Sequence, residues 1–447
     1  MKNVKTLMLA ALPALMPVVA FAQDTTAAAT EAAAEVAPIM DKGDVAWMMT
    51  STVLVLMMLI PGLALFYGGL VRSKNMLSVL MQCTSIGALM MVIWVVYGYS
   101  AAFGGEGTYW GGLDKLFLAG VTTDSLSDTF SAEYKIPEYV FICFQMTFAA
   151  ITPALIIGAF AERIKFGSLM LFCALWVTFV YFPVAHMVWG AGGLILGWGA
   201  LDFAGGTVVH INAGIAALVG CIVIGPRVGF GKENMAPHSM TLTLVGAALL
   251  WVGWFGFNVG SNLEANGGAG LAMINTFVAT AGAILAWNVI EKFTRGHSSM
   301  LGAASGMISG LVAVTPACGS IGPVGAIVLG ALASIGCYFF VAVIKNKFKY
   351  DDSLDVFGIH GVGGIIGAVG TGIFTAPSLG GTGAEDFAMA AQTWIQIKAV
   401  LVTIVWCGVV SFILFKLVDV IMGLKVSEED QRQGLDQTSH GESAYTV

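Results

Sequence analysis

Eleven stretches of predominantly apolar residues, each close to the length that crosses a bilayer and separated by short polar turns, constrain this chain more than any other feature. A hydrocarbon core of ~30 Å takes about 20 helical residues. In lipid every backbone N–H and C=O must be paired within the structure, so such stretches are helices. They run Val45–Val71, Met76–Phe103, Pro137–Phe160, Phe166–Ala185, Gly206–Gly225, Met240–Val259, Gly270–Ile290, Met300–Val314, Ile321–Ile344, Val356–Phe374 and Thr393–Met422. The eighth is short and rich in glycine. The expected class is an all-α integral membrane protein. Only 11% of the residues are charged, against about 25% in soluble domains, which excludes a soluble globule. The 57 glycines suit helices that pack closely in lipid. A net charge of −7 without a basic run leaves no footprint for nucleic acid. The seven cysteines are irregularly spaced with no CxxC pair, and read as small packing residues.

Ahead of the first span, Lys2 and Lys5 precede an apolar run, Leu7 to Ala20, and then Ala20-Phe21-Ala22. That pattern reads as a signal peptide over residues 1–22. An Ala/Thr/Glu-rich outer segment, 23–43, would follow, then a membrane domain, 44–423, and an inner tail, 424–447. Basic residues test the count. Fourteen Lys and Arg fall in alternate turns, the end of the last helix and the tail, from Arg72 and Lys74 to Lys416, Lys425 and Arg432, while four (Lys42, Lys115, Lys135, Lys398) fall in the outer segments. The positive-inside rule then puts the N-terminus outside and the C-terminus in the cytoplasm.

Helices 1–5 and 6–10 look like two copies of one design, with helix 11 extra. Gly62, Phe66 and Gly69 have the spacing of Gly253, Phe257 and Gly260; Thr152-Pro153 in helix 3 matches Thr315-Pro316 in helix 8. His210 and His360 each precede Gly, Ile, Val and Gly at offsets 4, 5, 9 and 10. Five helices is an odd number, so the second copy is inverted. Transport sites usually lie where inverted repeats meet, near the midplane.

An ionisable side chain at the bilayer centre costs roughly 2.5–3.5 kcal/mol on insertion scales. His210 and His360 sit inside apolar helices at matching depths, and are expected to meet. One ring would donate N–H and the other accept, keeping both neutral. They either line a pore or tie the two halves together. Asp202, just before helix 5, reads as a helix cap that supports the site, with a direct cation site as the other reading. Asp355 is expected to be its equivalent before helix 10. Trp189 ends helix 4, either as an interfacial anchor or as a face that attracts a cation. Phe148 and Phe257 read as packing by default, and Ser261 has no role of its own. No metal cluster, phosphate loop or nucleophile–base pair is evident, so neither cofactor nor enzyme activity is expected.

The segments PGLALFYGGLVRSKN, GAFAERI, AHMVWG, DFAGGTVVHINAG, GWFGFN, DVFGIHG and the tail's HGESAY, taken in order, resemble the Amt/Mep/Rh family of ammonium transporters, close to its bacterial Amt type. The resemblance implies a homotrimer in the bacterial inner membrane, in contact with lipid, with a pore through each protomer. It implies an outer ammonium site at Trp189, Phe148 and Ser261, a gate of Phe148 and Phe257, and twin pore histidines at His210 and His360. Asp202 would be the supporting aspartate, and Phe144 and Gln145 the family's FQ pair. Ammonium would lose a proton and pass as ammonia. The tail, by composition a polar and partly helical end, would bind a PII-type signal protein. The stretches Gln23–Lys42 and Gly104–Ile136 match no family motif. A sensor without flux, a carrier for another solute and a membrane enzyme are the rival readings.

Overall fold

The computed structural model describes residues 38–445. The expected signal peptide, and the segment after it as far as residue 37, lie outside the described residues. The apolar helices are α1 (Lys42–Leu70), α2 (Ser73–Phe103), α3 (Glu138–Phe160), α4 (Phe166–Gly197), α5 (Gly206–Ile224), α6 (Met240–Val259), α7 (Gly267–Arg295), α8 (Met300–Val314), α9 (Pro323–Phe348), α10 (Phe357–Phe374) and α11 (Met389–Met422). Ten of these are long and apolar enough to cross a membrane; α8 is a shorter apolar helix. Its run stops at Thr315-Pro316, where proline cannot continue the ladder. It packs between α7 and α9 with most of its side chains buried. Helix α1 starts earlier than the hydropathy predicts, because Asp41 caps it by accepting from Gly43 N at 2.7 Å and Asp44 N at 3.1 Å.

One small element lies outside the helices. Strands β1 (Ile39–Met40), β2 (Leu126–Asp128) and β3 (Tyr134–Pro137) form a small sheet in the order β1-β3-β2. β2 and β3 are an antiparallel hairpin, and β1 adds in parallel at β3. The long connection from α2 to α3 thereby satisfies backbone groups that no helix takes up. This end of the molecule is the vestibule face below.

The opposite end, the tail face, is held by buried charges. Arg163, fully buried, donates to the carbonyls of Ala159 and Asp351, to Gly225 O at 2.8 Å and to Ser353 Oγ at 2.6 Å. Arg227 grips Asp351 with two parallel bonds, 2.9 and 2.7 Å, and Arg72 pairs with Glu162 at 2.6 Å. Four connections are tied together in this way. Glu162 and Arg163 are the charged pair of GAFAERI, so that motif serves architecture at this end.

The tail is more than a polar end. Across the α3–α4 turn Lys165 N donates to Leu424 O at 2.9 Å and Val426 N donates to Arg163 O at 3.0 Å. Two short helices follow, α12 (Glu428–Gln433) and α13 (Leu435–His440). Gln431 accepts from Val228 N, Leu435 N donates to Asn75, and the Asp436 carboxylate accepts from Ser78 N at 2.8 Å. Leu435 and Asp436 are buried. Charge content hid this docking, because the anchors are single side chains reaching backbone groups of distant loops.

Candidate functional site

Helices α5 and α10 cross at glycine. A Cβ on Gly214 would fall 2.3 Å from Gly361 Cα, and one on Gly364 would fall 3.1 Å from His210 Cβ. Gly214 and Gly364 are each four residues beyond a histidine, so each copy of the repeat offers a side-chain-free turn to the other copy's histidine turn. Both histidines, and Phe257, sit on π-helical turns, Gly206–Ile211, Phe357–Gly361 and Phe255–Val259. Such one-residue widenings recur at functional sites, and periodicity does not reveal them. Gly214→Val is expected to force α5 and α10 apart at a cost of about 1–3 kcal/mol, measured as a lower melting temperature together with lost transport.

The two rings meet as their symmetry predicts. His210 Nδ1 and His360 Nδ1 are 3.2 Å apart, with ring centroids at 5.3 Å. His210 Nε2 is 3.3 Å from Thr315 Oγ1. That hydroxyl donates to Leu311 O at 2.8 Å and accepts from Trp254 Nε1 at 2.9 Å. Its one hydrogen is committed, so toward His210 it can only accept. The network therefore assigns the proton of His210 to Nε2. His210 Nδ1 then accepts, His360 Nδ1 donates, and His360 Nε2 keeps the free lone pair. Sequence reasoning used Thr315 only as a repeat marker and did not single out Trp254. Their signal was present, as a hydroxyl and an indole N–H inside apolar helices.

Four features follow one another through shared residues and ring contacts. On the vestibule face a cavity of ≈470 Å³ is lined by Trp189, Ser261, Phe144 and Gln145, among others. Below it Phe148 and Phe257, both buried, stack with centroids 4.2 Å apart at 27°. Beyond them a narrow cavity of ≈10 Å³, the lumen, is lined by the two histidines, Trp254 and apolar side chains that include Phe66, Leu155, Val209 and Leu250. His360 also lines a funnel of ≈170 Å³ on the tail face, with Tyr67, Ser353 and Asp355.

At the vestibule end Trp189 Nε1 donates to Asp202 O at 2.8 Å, which fixes the indole edge-on to Phe148 with centroids 6.0 Å apart. Phe144 packs on Phe148 at 4.9 Å. Ser261 donates its hydrogen to Phe257 O at 2.8 Å, leaving its lone pairs to accept. The Asp202 carboxylate accepts from Gly205 N, Gly206 N and Thr207 N at 2.9, 2.5 and 2.8 Å, and from the Thr207 hydroxyl. It is engaged in holding the start of α5, the geometry of the capping reading and not of a direct cation ligand. Burial raises its carboxyl above the ordinary value, against the lowering by these donors.

The equivalent cap before α10 is not Asp355. Asp352 accepts from Val356 N at 3.0 Å and Phe357 N at 2.8 Å, while Asp355 pairs with Lys345 at 2.5 Å. Asp202 and Asp352 each lie eight residues before their histidine, a spacing that identifies the right aspartate from sequence. Burial pushes the Asp352 carboxyl up to about 6.

A sequence model described as Ammonium Transporter Family matches residues 46–445. The chain is 46% identical over 409 residues to an ammonium transporter of Aquifex aeolicus, covering 91% of this chain and 94% of that one. It is also 46% identical to an ammonium transporter of Bacillus subtilis, covering 91% and 99%. Among solved structures it resembles Saccharomyces cerevisiae Mep2, with TM-score 0.78, 33% identity and 87% and 88% of the two chains covered. It also resembles a structure titled Sensor Amt Protein, with TM-score 0.81, 27% identity and 90% and 98% covered. With matches that run nearly end to end over a multi-pass helical fold, the chain belongs to the ammonium transporter family, carrying ammonium across a membrane rather than catalysing a reaction.

Proposed function

We propose that ammonium is recruited in the vestibule, gives up a proton to vestibule water at the stacked phenylalanines, and passes as ammonia through the lumen beside His210 and His360. The observation that carries this reading is the lumen itself, narrow and apolar apart from the paired imidazoles and one indole. Such a lumen has no ligands to replace a potassium ion's hydration shell, and stripping an ion without compensation is prohibitive. A neutral ammonia loses far less. The Trp189 and Phe148 faces attract a cation, and the free lone pairs of Ser261 accept an ammonium N–H. Phe148 and Phe257 are the gate between vestibule and lumen. Phe144, Gln145 and Asp202 support the site by packing, lining and capping.

Trp189→Leu is expected to raise the half-saturating ammonium concentration about two- to thirty-fold, from a lost cation–π face of about 0.5–2 kcal/mol. Concentration dependence of uptake in liposomes checks it, and an unchanged curve would make Trp189 an interfacial anchor.

The charge split supports an outside vestibule face and a cytoplasmic tail face in a bacterial plasma membrane. Family resemblance supports a homotrimer with a pore in each protomer, and a PII-type protein acting at the tail face. There α12 and α13 are docked against the turns around the funnel's end of the molecule. Deleting the tail after Leu424 is expected to abolish PII binding while the trimer still assembles; undiminished co-purification would oppose it. The resemblance to a structure titled Sensor Amt Protein favours a second reading, in which the chain also reports ammonium. A chain that binds ammonium in liposomes yet moves none would support that reading instead.

A further inference from the structure

The β2–β3 hairpin belongs to no family motif in this sequence, yet it forms part of the vestibule wall. Ser127, Asp128 and Phe130 line the same cavity as Trp189, Ser261 and Gln145. Phe130, in the turn between the strands, is 70% exposed, an unusual setting for a phenylalanine on a face that meets water. Its ring lies parallel to that of Phe203, within 8°, with centroids 6.2 Å apart. Phe203 directly follows Asp202, whose carbonyl holds Trp189. The turn is pinned by a buried carboxylate. Ser131 N and Ser131 Oγ donate to Glu264 Oε1 and Oε2 at 2.8 and 2.7 Å. Glu264 is 4% exposed, lies three residues after Ser261, and also accepts from Asn266 at 2.7 Å.

From this arrangement we infer that Phe130 is a further ammonium-recruiting residue. With Phe203 it forms a second aromatic wall upstream of Trp189 and Phe148, and the Glu264–Ser131 pair is its positioning device. The ligand class is ammonium and small alkylammonium cations, for which an exposed aromatic face is an attractive surface. The inference rests on the recruitment reading given above. Glu264 ties the hairpin to the same connection that carries Ser261, so the added wall and the acceptor hydroxyl keep a fixed relation.

The test is methylammonium uptake by liposomes holding the full chain, with half-saturation and maximal rate measured separately. Phe130→Ala and Phe130→Leu are both expected to raise half-saturation about two- to five-fold while the maximal rate holds. Glu264→Gln is expected to move half-saturation the same way, and to add little on a Phe130→Ala background. Trp189→Leu is run beside them. If it raises half-saturation and Phe130→Ala does not, the hairpin is a cover and the inference fails while the recruitment reading stands. If neither variant changes half-saturation, the recruitment reading fails and takes this inference with it. A wild-type Phe130→Leu beside a shifted Phe130→Ala would mean that bulk, not the π face, matters, and would also overturn it. A loss confined to maximal rate would do the same.

Discussion

Replacing His360 by leucine is expected to cut ammonium uptake about five- to hundred-fold, from roughly 1–3 kcal/mol for the lost buried partner, and replacing it by glutamate is expected to change what the pore admits. The pair is made through one Nδ1–Nδ1 contact at 3.2 Å. Leucine leaves His210 Nδ1 as a buried acceptor without a partner, at roughly 1–3 kcal/mol, and removes the lone pair on His360 Nε2. The lumen stays dry, so selectivity against potassium persists in whatever uptake remains. Glutamate places a carboxylate where the lumen opens into the funnel. A carboxylate can hold a cation, so potassium should compete there. Ammonium uptake and potassium entry in liposomes, measured with and without potassium on wild type and both variants, check this. The same uptake and selectivity in all three would make the histidines structural ties.

The second large effect concerns stability. Asp351→Ala should destabilise the protein by about 3–5 kcal/mol, the usual consequence of removing one partner from a buried ion pair. It would leave Arg227, which spends two bonds on that carboxylate, and fully buried Arg163 short of their anion. Thermal unfolding in detergent measures it. The group also gives a pH signature. Burial alone would raise the Asp351 carboxyl, but the hydrogen bonds and charge of Arg227, with the charge of Arg163, hold it below its ordinary value of 3.8. A carboxyl lowered by folding contributes stability above its unfolded value, and that contribution is lost as pH falls through the lowered one. Wild type should therefore lose stability on acidification below about pH 4, and Asp351→Ala should lose less.

The membrane spans and the repeat were legible because both rest on patterns that survive without side-chain detail. A run of apolar residues is long or short, and the offsets after His210 and His360 either match or do not. The repeat even carried the crossing geometry, since Gly214 and Gly364 are its offset-4 positions and are the residues that let the two turns touch. Other parts depend on which polar atom finds which. Asp355 is the aspartate nearest the helix start, yet the eight-residue offset that Asp352 shares with Asp202 decides the cap. Thr315 and Trp254 determine the tautomer of His210 through three-dimensional proximity that no spacing announces. The hairpin and the docked tail were illegible for a related reason. Their anchors, Glu264 to Ser131 and Asp436 to Ser78, join residues far apart in the chain.

The central claim is that each chain encloses its own dry conduit, passable to ammonia and closed to hydrated ions. The most direct measurement is flux into liposomes holding the purified wild-type chain, with ammonium supplied in the presence of a large excess of potassium. The account predicts saturable ammonium uptake that potassium neither carries nor slows. Potassium entry at a comparable rate, or ammonium uptake suppressed in proportion to potassium, would mean a hydrated path and would contradict it.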